Sequence, residues 1–127
     1  MKPRDSALRL KKFEVAEKAH KIASMETMIL DFEHMAADLA RQIAAEEERT
    51  GVKDPQHFAY STFAKAAGLR RSNLLNSVAD LRAKLEAARR EHDEVATELN
   101  KLEPVETRDL DRQHAKHDPR SNGAMIG

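Results

Sequence analysis

Leu8, Val15, Ile22, Ile29, Ala36 and Ile43 fall at every seventh position of the first fifty residues. Met25, Phe32 and Leu39 fill the companion positions of the later heptads, whereas Lys11 and Lys18 occupy the equivalent places in the earlier ones. A second series, Leu74, Val78, Leu81, Leu85, Ala88, His92, Val95, Leu99 and Leu102, follows alternating steps of four and three, with His92 its one polar member. An apolar stripe with that spacing specifies helices that bury a narrow seam against a partner helix. It predicts an all-α protein built as a rod, with no enclosed pocket, acting through surface and shape.

Composition agrees with a seam rather than a globular core. The chain has 127 residues, 35% of them charged and 4% aromatic, a balance typical of long helices. Too few bulky side chains exist to fill a large interior. No cysteine is present, which excludes disulfides, thiolate chemistry and Cys-based zinc sites. No apolar run reaches the roughly 18–20 residues of a membrane span. No secretory signal follows Met1-Lys2-Pro3-Arg4-Asp5, so a cytoplasmic protein is expected. The 22 basic and 22 acidic residues cancel, which argues against nonspecific nucleic-acid or membrane binding.

The punctuation divides the chain. Asp5 or Ser6 is a suitable N-cap for a first helix running to Thr50, nearly 70 Å at ~1.5 Å per residue. Gly51 provides a left-handed stop, with Val52 as the apolar residue of a Schellman cap. Asp54-Pro55 forms an N-cap/N1 pair for a second helix, with Ser61 as a later competing start. The spacing predicts that this helix begins between residues 57 and 62, crosses a weak point at Gly68 and ends near Glu103, before Pro104. Residues 104–127 are expected to form a short polar helix and a disordered tail.

Charge blocks decide among a dimer, a bundle and a hairpin. Residues 1–21 carry seven bases and three acids, and residues 22–50 seven acids and two bases. Residues 51–71 carry four bases and one acid, and residues 72–103 seven acids and five bases. Folding back near residue 55 sets Glu46, Glu47 and Glu48 near Lys65, Arg70 and Arg71, and Arg9, Lys11 and Lys12 near the acidic half of the second helix. Parallel pairing of two copies would stack like charges. Exposed pairs choose orientation more than they stabilise. The expected fold is a long antiparallel two-helix coiled-coil hairpin over residues 1–103, with its bend at 51–60 and a short polar C-terminal segment after it, in a monomer.

Nothing resembles a phosphate-binding loop, a nucleophile paired with a base, or two carboxylates held in a cleft, so no enzyme is expected, and no cofactor. His114 and His117 lie one helical turn apart, between Asp111 and Asp118, but a metal needs preorganised ligands, and none is assigned there. His92 is readable as a pH-sensitive register element or as a half-buried ring with its edge in water. Leu10 and Phe13 lie off the seam among Arg9, Lys11 and Lys12. They are scattered surface residues, a face covered by residues 105–117, or a partner contact. Phe58, Tyr60 and Phe63 gather near the bend, either as a plug closing it or as a contact surface. These five are the candidate partner-binding residues.

Two segments carry a resemblance. Asp5-Ser6-Ala7-Leu8-Arg9-Leu10-Lys11-Lys12-Phe13, and His57-Phe58-Ala59-Tyr60-Ser61-Thr62-Phe63-Ala64-Lys65-Ala66-Ala67 with Arg70-Arg71-Ser72-Asn73-Leu74 after it, resemble the flagellar export protein FliJ family of alphaproteobacteria. The resemblance spans residues 1–103. It implies a hairpin similar to the rotor stalk of rotary ATPases, a non-enzymatic place in the flagellar type III secretion apparatus at the base of the flagellum, and contacts with the export ATPase hexamer, the export gate and export chaperones. In that family the gate-binding surface lies towards the bend and the terminal end enters the ATPase ring. Two other functions fit the pattern: a hairpin inserting an acidic tip (Glu46, Glu47, Glu48, Asp54) into RNA polymerase, and a homodimeric scaffold.

Overall fold

The computed structural model describes residues 3–103, and the His114/His117 pair and the expected C-terminal helix and tail lie outside them. Helix α1 spans Pro3–Thr50 and helix α2 spans Thr62–Leu102, and the two pack against each other as an antiparallel helical hairpin. Every described seam residue named from the heptads, Lys11, Lys18 and His92 included, is buried or half-buried.

Helix α1 starts two residues before the expected cap. Proline has no N–H to leave unpaired, so Pro3 fits the first turn, and Asp5 there complements the positive end of the helix dipole. At the other end Gly51 adopts φ 76° and its N–H donates to the Glu47 carbonyl at 2.9 Å. That single bond is the simpler left-handed cap rather than the expected Schellman motif. The difference lies in Thr50, whose hydroxyl accepts the Val52 N–H at 3.2 Å and so removes the donor a Schellman cap would use.

The start of α2 is settled by the same kind of competition. Asp54 does not cap a helix. Its Oδ1 accepts the Gln56 N–H at 2.9 Å and its carbonyl accepts the His57 N–H at 3.0 Å, giving one tight turn. A further turn follows, with the Tyr60 N–H on the His57 carbonyl at 3.0 Å. Ser61 is the N-cap: its Oγ accepts the Ala64 N–H at 3.2 Å, and its carbonyl accepts the Lys65 N–H at 3.0 Å as the first helical bond.

The hairpin comprises two compact units. The unit of residues 18–91 contains the bend and every buried side chain among the described residues. Its core is Ile29, Val78 and Leu85, packed by Ile22, Met25, Phe32 and Leu81. Nearer the bend the seam narrows to small residues, with Ala36, Ala64 and Ala67 buried beside Leu39. Gly68 faces the Ile43 side chain there, and a methyl group added to it would meet nothing closer than Ile43 Cδ1 at 4.0 Å. Each fully buried Leu or Ile contributes ~1.5–3 kcal/mol before entropy is subtracted. Antiparallel register is visible in Lys18–Glu91 at 3.1 Å, Glu26–Arg89 at 3.8 Å and Glu33–Arg82 at 2.8 Å.

The unit formed by residues up to Glu17 and from His92 onward is built differently. Leu8, Val15, Val95, Leu99 and Leu102 are only half-buried, and none of its described residues is fully buried. Lys11 lies in the seam, its ammonium 2.5 Å from Glu98 and 3.1 Å from Glu14.

Candidate functional site

Of the five candidate contact residues, the structure turns one inward. Tyr60 is half-buried, and its hydroxyl donates to Glu47 Oε2 at 2.7 Å. Beside it Ser61 Oγ donates to Glu46 Oε1 at 3.0 Å. These two bonds tie the end of α1 to the start of α2, so Tyr60 closes the bend. Phe58 does not join it: the ring is 95% exposed and stacks on His57 with centroids 4.6 Å apart. Phe63 also faces outward and is 55% exposed.

The acids of the bend are structural in the same way. Arg49 and then Ser61 hydrogen-bond to Glu46 and hold its carboxyl below the ordinary value, while the Glu47 carboxylate raises the Tyr60 phenol above its own. Glu48 reaches Lys53 at 3.9 Å. The expected pairing of Glu46, Glu47 and Glu48 with Lys65, Arg70 and Arg71 is not made, because the two inner acids are taken by closer partners. Lys65, Arg70 and Arg71 form no ion pair within 4 Å of a described acid.

Of these three, Arg70 lines a shallow groove that heptad reading alone missed. Met35, Asp38, Leu39 and Gln42 form its α1 wall and Phe63, Ala66 and Arg70 its α2 wall, with Ala67 at the base. A signal for it existed in the sequence: Met35 lies immediately before the seam residue Ala36 and is exposed. A flexible methionine and an aromatic edge on an accessible surface suit contact with an apolar segment. Among the described residues no three His, Asp or Glu side chains gather as a metal site.

Leu10 and Phe13 belong to the other unit. They are 59% and 62% exposed and line a shallow apolar patch with Ser6 and Arg9. Arg9, which lines it, makes no ion pair within 4 Å of a described acid. Lys11, by contrast, is held in its charged form by Glu98 and then Glu14, and Lys11 holds the Glu98 carboxyl below its ordinary value. His92 is half-buried with Nδ1 3.3 Å from Asp93 Oδ1.

No protein-family model, no curated protein and no solved structure matches this chain. No helix among the described residues is long and apolar enough to cross a membrane.

Proposed function

We propose that this chain is a non-enzymatic coiled-coil component of the flagellar type III export apparatus, acting as a cytoplasmic monomer at the base of the flagellum. In this reading the end bearing Leu10 and Phe13 meets the export ATPase ring, and the groove near the bend meets the export gate or an export chaperone. One observation carries the proposal. The segment His57–Ala67 and Arg70, on which part of the resemblance rests, supplies the α2 wall of a two-walled groove whose lining includes Arg70, a base with no ion pair to a described acid. Residues shared with a family for seam packing alone would point inward, and Phe63 and Arg70 do not.

In the acidic-tip reading only Glu48 and Asp54 remain for insertion, since Glu46 and Glu47 are engaged in holding the bend. A homodimeric scaffold is separated by light scattering. The direct test is capture of the cognate export ATPase and of the gate's cytoplasmic domain by the full chain. Phe63→Glu and Arg70→Glu should lose gate capture while keeping the helical circular-dichroism signal and ATPase capture. Failure of the unaltered, folded protein to bind either partner would overturn the proposal.

A further inference from the structure

The seam changes character within the hairpin. Residues 18–91 bury eight apolar side chains, while the described part of the other unit buries none. The cause is in the sequence. Where later heptads place Met25, Phe32 and Leu39, this unit places Lys11, and α2 brings His92 to its own seam. Lys11 is satisfied there only by Glu98 and Glu14, both substantially exposed, and such pairs stabilise little. Residues 3–17 and 92–102 continue helices whose other parts stay packed, so once they part each is held only by its own backbone bonds and is far less protected than the packed seam.

We infer that the end of the hairpin carrying Leu10 and Phe13 opens and closes as a cooperative unit of its own, while residues 18–91 remain folded. The opening is a built-in conformational device. It frees Leu8 and Val15 on one segment and Val95, Leu99 and Leu102 on the other, adding them to the two apolar side chains already outside. A partner helix would find a larger apolar face there than the closed hairpin offers. The inference rests on burial and seam polarity and stands whatever the partner is.

Native-state amide hydrogen exchange on the full chain tests it. Amides of residues 8–17 and 93–102 should exchange ~100-fold faster than those of 25–39 and 78–88, and the two fast stretches should share one opening constant. Lys11→Leu combined with His92→Leu should slow both fast stretches by ~10-fold or more and leave residues 25–39 unchanged. A single opening constant for all these amides would overturn the inference, as would fraying of 8–17 without 93–102, or a double variant that slows the whole hairpin equally.

Discussion

Ser61 Oγ performs two tasks at once: it accepts the Ala64 N–H at 3.2 Å and donates to Glu46 Oε1 at 3.0 Å. Ser61→Ala removes both. Loss of the N-cap alone costs ~1 kcal/mol, and loss of the bond to Glu46 adds to it in the same direction. For a hairpin of this size ~1 kcal/mol corresponds to a fall of roughly 4–8 °C in melting temperature. The variants that separate the two tasks are Ser61→Thr, Ser61→Asp and Ser61→Asp with Glu46→Gln. Threonine keeps the hydroxyl and should stay close to the parent. Aspartate caps a free helix as well as serine does, but here its carboxylate would face the Glu46 carboxylate, so Ser61→Asp should be no better than Ser61→Ala. Adding Glu46→Gln removes that repulsion and should recover stability. Urea denaturation followed by circular dichroism at 222 nm measures all four. The reasoning is refuted if Ser61→Ala lies within ~0.3 kcal/mol of the parent, below any cap effect, or if Ser61→Asp is as stable as Ser61→Thr.

Two further outcomes are expected. Gly51 and Gly68 should answer oppositely to alanine: Gly51→Ala destabilises by ~1–2 kcal/mol because φ 76° disfavours a side chain despite open space around it, whereas Gly68→Ala stabilises by ~0.5–1 kcal/mol because the helix gains and only Ile43 lies near; the same denaturation assay reads both signs. Stability should also depend on pH at both extremes. Lys18, Lys11 and Arg49 with Ser61 hold the Glu91, Glu98 and Glu46 carboxyls below the ordinary 4.5, so their contribution is present above 4.5 and lost as pH falls through the depressed values. Lys11 is raised above 10.5 and Tyr60 above 10.0, so their contribution is complete below those values and lost as pH climbs through the raised ones. Thermal melts across pH check this, and a melting temperature that stays flat from neutrality to well below 4.5 would contradict the acid limb.

The seam was legible because it is periodic: each of its positions is set by its neighbours on one helix, so spacing alone assigned Ile29, Val78 and Leu85 to the interior. The bend was legible only in outline. Asp54 and Ser61 are both good local caps; Asp54 is taken into its own tight turn, and Ser61 is held also by Glu46, fifteen residues before it, which no local rule connects to it. Charge blocks predicted the direction of pairing, confirmed by Lys11–Glu98 and Lys18–Glu91, but not the partners at the bend, where Arg49 and Ser61 reach Glu46 first. The groove escaped because its walls come from two helices. Met35 and Phe63 look like isolated surface residues until the fold sets them on one side.

The bond from Tyr60 to Glu47 spans thirteen residues, and the pair of Lys18 with Glu91 spans seventy-three. By chain-closure entropy the longer connection costs about 1.5 kcal/mol more to form first. Loop closure therefore favours the bend, with its left-handed glycine, its two tight turns and its capped helix start, as the place where pairing begins. Each turn that zips shortens the next loop to be closed, so residues far apart in sequence meet only after their neighbours have met. A hairpin assembled in that order folds by local steps despite its distant ends.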